Sequence, residues 1–141
     1  MRSTSFDSEL ATRLRLAIAR SARRLRQESG TGLSPSLNAA LATVERHGPL
    51  TPSELAGRER VQRPTATGLV CRLEEAGLVL RAADPADGRS SLISVTPAGR
   101  KLLAAGRTRK DAFLSERLDA LGAEDRATLE RAAELLEGML E

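Results

Sequence analysis

The 141-residue sequence predicts a mainly α fold with one small β-hairpin, and three observations point to it. Leucine and alanine recur three and four residues apart through most of the chain, which is the spacing of one helical face. Ser34-Pro35, Thr51-Pro52 and Thr96-Pro97 each set a capping hydroxyl before a proline suited to the first helical turn. Between Leu78 and Val95 the period changes, and Asp84-Pro85-Ala86-Asp87-Gly88-Arg89 interrupts that stretch with turn formers.

Each element follows from such signals in chain order. Leu10, Leu14, Ala17, Ile18, Ala22 and Leu25 form a stripe between the acidic entry at Asp7 and Glu9 and the breaker Gly30-Thr31-Gly32, a long first helix whose other faces are arginine. A second helix starts at Ser34-Pro35, carries Leu37, Ala40, Leu41 and Val44, and stops at His47-Gly48-Pro49. Thr51-Pro52-Ser53-Glu54 has the capping-box pattern, in which the hydroxyl takes the Glu54 amide and the carboxylate reaches back to the Thr51 amide. The short third helix it opens runs to about Arg60. Arg63 precedes Pro64 and so marks the boundary of a fourth helix, which turns Ala66, Leu69, Val70 and Leu73 inward and ends at Gly77. Two short helices a tight turn apart suggest a helix-turn-helix. Leu78 to Ala83 and Ser91 to Val95 are read as the strands of a hairpin, or wing. A long fifth helix runs from Thr96-Pro97 to Gly122, and a last one holds Leu129, Ala132, Ala133, Leu136 and Leu140.

Composition narrows the function. Cys71 and His47 are the only cysteine and histidine, and Tyr and Trp are absent, so an intrachain disulfide and a multi-thiolate metal site are excluded. No nucleophile–base pair can be named for a hydrolase, and no catalytic residue, metal or cofactor is expected. No run approaches the roughly 18 apolar residues of a membrane span, and the N-terminus lacks an apolar signal region, so the cytoplasm is the expected location. The net charge is +3, unevenly spread: from Glu116 onward eight acidic residues face three arginines, a net of −5, so the preceding residues carry +8. That surplus is almost all arginine, whose planar fork suits phosphate and guanine edges. With Phe6 and Phe113 as the only aromatics there is no stacking platform for single strands, which leaves double-stranded DNA as the expected partner.

Leu50-Thr51-Pro52-Ser53-Glu54-Leu55-Ala56, the segment from Pro64 to Val79, and Asp87-Gly88-Arg89 leading to Val95-Thr96-Pro97-Ala98-Gly99 resemble successive signatures of the MarR family of bacterial transcription regulators. The order of helices matches that family over nearly the whole chain. The resemblance implies a winged helix-turn-helix, a homodimer whose first and last helices intertwine, a recognition helix in the major groove, a wing arginine at the minor groove, and often a small-molecule effector. Two positions depart from the family pattern: Arg60 stands where the turn usually has glycine, and Gly68 stands where a polar or basic residue is frequent.

On this reading Arg63, Pro64, Thr65 and Thr67, at the N-terminal end of the fourth helix, meet base edges. Arg89 at the wing tip enters the minor groove with Asp87 holding its guanidinium. Ser36, Thr51, Arg58, Arg60 and Arg72 are assigned to phosphates, with a salt bridge to Glu75 as the competing role for Arg72. Arg13, Arg15, Arg20, Arg23, Arg24 and Arg26 are read as a solvated face or as partners of the acidic C-terminal helix of a second subunit, ahead of DNA contact. Cys71 is read as an inert thiol ahead of a redox switch, and His47 as a helix-terminal dipole partner.

Residues 1–141 are expected to form one domain, with about 1–30 and 97–141 as dimerisation helices and about 34–96 as the DNA-binding region. The terminal stripes exceed what a reading core of this size can cover, and a second copy of the chain is the simplest supply of surface. The expected function is a repressor that binds a pseudo-palindromic operator as a homodimer. The absence of Tyr and Trp argues against an aromatic-lined effector pocket and leaves two alternatives open, an aliphatic cleft between the terminal helices and the winged helix, or no effector at all. The competing reading is a winged helix that binds an acidic protein partner and has no operator of its own.

Overall fold

A computed structural model describes residues 2–141, with side chains described from Asp7 onward. The elements run α1 (Arg2–Glu28), α2 (Pro35–His47), α3 (Pro52–Glu59), α4 (Arg63–Glu75), β1 (Val79–Asp84), β2 (Asp87–Val95), α5 (Pro97–Asp119) and α6 (Ala123–Met139). β1 and β2 pair antiparallel, Val79 opposite Val95. The fold is therefore mainly α with a β-hairpin wing, as the sequence predicts.

The caps explain where the helices start. Ser34 Oγ accepts the Leu37 N–H at 3.2 Å, and Thr51 and Glu54 form the full capping box. Thr96 does two jobs: its Oγ1 accepts the Gly99 N–H at 3.0 Å and donates to the Gly77 carbonyl at 2.7 Å, tying the start of α5 to the end of α4. α1 begins at Arg2, earlier than the acidic entry at Asp7 and Glu9 suggested. Leu78, expected in the first strand, instead closes α4. Gly77 adopts φ +74°, and the Leu78 N–H reaches back to the Leu73 carbonyl at 2.9 Å, a Schellman-type ending that tucks Leu78 into the core.

The core sits between α2, α3, α4, the hairpin and the start of α5. Leu41 and Val44 of α2, Leu55 of α3, Val70 and Leu73 of α4, Val79 and Ile93 of the hairpin, and Leu50 before α3 are all fully buried. Leu50 and Ile93 exchange both backbone hydrogen bonds, at 3.1 and 2.7 Å, so the base of the wing is stitched to the α2–α3 connection. Leu103 carries α5 into the same cluster. Gly99 makes that docking close: a Cβ there would lie 2.4 Å from the Leu78 carbonyl oxygen and 2.9 Å from Val95 Cγ2.

The terminal helices differ. α6 buries no residue, and Leu10 (50%), Ile18 (49%), Leu129 (48%) and Leu135 (52%) stand about half exposed on α1 and α6. No helix among the described residues is long and apolar enough to cross a membrane.

Candidate nucleic-acid interface

The turn between α3 and α4 is made by Arg60 in the left-handed conformation, φ 54° and ψ 45°. Its N–H closes on α3, and the Val61 N–H bonds the Ala56 carbonyl at 3.0 Å. Glycine is the usual residue for such a turn because a Cβ is disfavoured there. The departure noted in the sequence thus marks a real left-handed position, held by the buried Leu55, Ala56 and Ala66 on either side.

α4 buries Ala66, Leu69, Val70 and Leu73 and exposes Arg63, Pro64, Thr65, Gly68, Cys71 and Arg72. Its N-cap, Gln62, makes no side-chain capping bond, whereas Ser34, Thr51 and Thr96 cap α2, α3 and α5. The first amides of α4 are consequently open to an anion, which the helix dipole also favours. Thr67 is half-buried, and its hydroxyl donates to the Arg63 carbonyl at 3.0 Å. Its proton is thus committed within the helix, which leaves the hydroxyl as an acceptor only.

The wing corrects the sequence reading. β2 starts at Asp87 rather than Ser91, so the turn is Pro85-Ala86. Asp84 faces Asp87 while Ala83 faces Ser91, which leaves Gly88, Arg89 and Ser90 as a bulge. Arg89 is therefore exposed on this bulge, beside the tip, and a bulge is a common means of re-aiming a side chain. Asp87 does not hold the guanidinium: its Oδ1 accepts the Arg89 backbone N–H at 3.0 Å and so orients the residue through the main chain. The sequence signal for this was Asp two residues before Arg with glycine between, a local side-chain-to-backbone turn.

The phosphate candidates separate. Ser36, Arg58, Arg60 and Arg72 are exposed, and among the described residues none of these arginines, nor Arg63 or Arg89, is in a salt bridge. Thr51 is different, since its Oγ1 both accepts the Glu54 N–H at 3.2 Å and donates to Glu54 Oε1 at 3.1 Å. That commitment removes the donor a phosphate contact needs and sets a carboxylate beside it. Arg72 makes no pair with Glu75. The ion pair at that end of α4 joins Arg81 of β1 to Glu74 at 3.3 Å, and Arg81 Nη2 also donates to Cys71 Sγ at 3.1 Å. Sequence reasoning missed Arg81 because its partners lie across the helix–strand junction, where no periodic spacing applies. His47, exposed at the last residue of α2, stands where a dipole partner belongs.

Behind this face, a groove of about 400 Å³ lies between Arg26 of α1, Pro35, Ser36 and Ala39 of α2, and Glu59, Val61 and Leu69. Glu59 accepts a hydrogen bond from Thr43. Asn38 also lines the groove, and its Oδ1 is buried without a hydrogen-bond partner among the described residues.

Comparison with known proteins agrees with this geometry. The MarR family model matches residues 33–91. An HTH-type transcriptional regulator of Mycobacterium tuberculosis is 40% identical over 131 residues, 92% of each chain. A putative transcriptional regulator of Pseudomonas aeruginosa has the same fold at a TM-score of 0.85 and 33% identity, over 96% of both chains. A variant of MepR from S. aureus, bound to an oligodeoxyribonucleotide, shares the fold at a TM-score of 0.73 and 20% identity, over 94% of this chain and 98% of that one. Relatives and neighbours are regulators rather than enzymes. With its helix-turn-helix, bulged wing and long terminal helices, the chain belongs to the MarR family of winged helix-turn-helix transcriptional regulators.

Proposed function

We propose that the chain is a homodimeric repressor that binds a pseudo-palindromic operator through two winged helices and is released by a small molecule. The observation that carries the DNA reading is the exposed set Arg58, Arg60, Arg63, Arg72 and Arg89, none of them in a salt bridge among the described residues, spread over the end of α3, the turn after it, the exposed face of α4 and the wing, with the α4 N-terminus left without a side-chain cap. Arg63, Pro64, Thr65 and Thr67 read bases, with Thr67 as acceptor; Arg89 enters the minor groove; Ser36, Arg58, Arg60 and Arg72 hold phosphates. The neighbour bound to an oligodeoxyribonucleotide supports this use of the shared fold. The apolar residues that α1 and α6 leave exposed support the dimer, and two-fold pairing is the commonest way to cover them. Residues of about 34–96 then act as the reading head and the terminal helices as the frame. The groove, with Pro35, Ala39, Val61 and Leu69 in its lining, suits an effector with an apolar body.

A gel shift against the DNA upstream of its own reading frame, with random DNA as competitor and salt varied, tests this function. We expect resistance to the competitor and a log affinity that falls linearly with log salt, by about 0.9 per phosphate held. Affinity that is flat in salt, or equal competition by random DNA, would favour the protein-interaction reading.

A further inference from the structure

α5 joins the two halves of the molecule, and its contacts to α2 and to the end of α1 fall within about two helical turns. Leu103 is buried in the core of the reading head. Arg107 forms an ion pair with Glu45 of α2. Arg109 Nη1 donates to the Ser29 carbonyl at 2.7 Å, just past the end of α1, where orphan carbonyls and the negative end of the helix dipole favour a cation. Gly106 lets the α1–α2 connection come close: a Cβ there would lie 2.9 Å from Thr31 Cγ2 and 3.5 Å from the Ser29 carbonyl oxygen. Further along α5, Arg117 stands 3.5 Å from the Phe113 ring centre, and Arg24 of α1 lies 5.1 Å from the same centre.

We propose that Arg107, which ties α2 of the reading head to α5, and Arg109, which ties the α1–α2 connection to the same stretch of α5, are positioning residues for DNA recognition that hold the head at a fixed angle and thereby set the operator half-site spacing the protein accepts. The proposal rests on the two-fold reading given above. Neither side chain belongs to the DNA face. The Arg107–Glu45 pair contributes little to folding, since the Arg107 side chain is 52% exposed and such pairs are weakly stabilising. Its consequence is angular. A head free to pivot on α5 tolerates half-sites that a fixed head rejects, because one extra base pair both shifts and rotates the second groove.

The test measures affinity for operators whose half-sites are moved apart or together by single base pairs, beside affinity for an isolated half-site and the thermal midpoint. The native chain is expected to prefer one spacing sharply. The Arg107→Gln/Arg109→Gln variant should lose at least about threefold of that preference, with half-site affinity unchanged. Exchange of charge in Glu45→Arg/Arg107→Glu should restore most of what Arg107→Gln alone removes, and Arg109→Lys should retain most of what Arg109→Gln removes. If the double variant does not fold, Arg107→Gln, whose exposed pair the fold does not need, carries the same comparison. An unaltered spacing preference in the Arg107 variants overturns the proposal while leaving the two-fold reading intact. A native chain with no spacing preference overturns both.

Discussion

At the scale of single residues, the departures from pattern are the most informative. Arg60 occupies a left-handed position that costs an L-residue about 1–2 kcal/mol, a strain that glycine removes at some expense in chain entropy. Arg60→Gly is therefore expected to raise stability by about 0.5–1 kcal/mol in urea unfolding while weakening DNA binding at fixed salt. A gain in stability with unchanged affinity would remove Arg60 from the phosphate contacts. Arg89→Ala should cost about 1–3 kcal/mol of operator affinity and leave the melting temperature unaltered, because the side chain projects from a bulge rather than from the core. Arg60 was readable in the sequence as an anomaly, since the family pattern sets glycine there. The roles of Thr51, Thr67 and Asp87 were not, because a hydroxyl or carboxylate can serve the backbone or a ligand with equal ease, and only geometry separates the two.

At the scale of elements, caps and breakers made the helices legible. Proline after a Ser or Thr located the starts of α2, α3 and α5 to the residue, since both the missing N–H and the hydroxyl suit one position of a helix and no other. The strands were less legible. Gly88, Arg89 and Ser90 read as turn because bulge residues have turn composition, and Leu78 read as strand because an apolar residue closing a helix looks like one opening a strand. The junction of α5 with the wing depends on the absence of a side chain at position 99. Gly99→Ala is expected to destabilise the chain by about 2–3 kcal/mol, since the new methyl meets backbone at Leu78 and the buried surroundings cannot give way. An unfolding midpoint unchanged by this substitution would mean that α5 is free to move off the hairpin.

At the scale of the whole molecule, the sequence showed more apolar helix surface than one chain can bury, and the structure leaves that surface open on α1 and α6. What covers it was legible as a need. The geometry of the covering was not, because a two-fold contact depends on the shape of a face and not on its period. Light scattering at micromolar concentration is expected to give about twice the 15.1 kDa chain mass, and deletion of residues 2–28 should abolish both the dimer and cooperative unfolding. A folded monomer would leave the exposed leucines without an account. Hydroxyl-radical footprinting on the upstream DNA tests the paired-head claim most directly. Two protected windows related by a two-fold axis, with centres about 10 bp apart and two chains bound per site, are the expected result. A single asymmetric window occupied by one chain would contradict it.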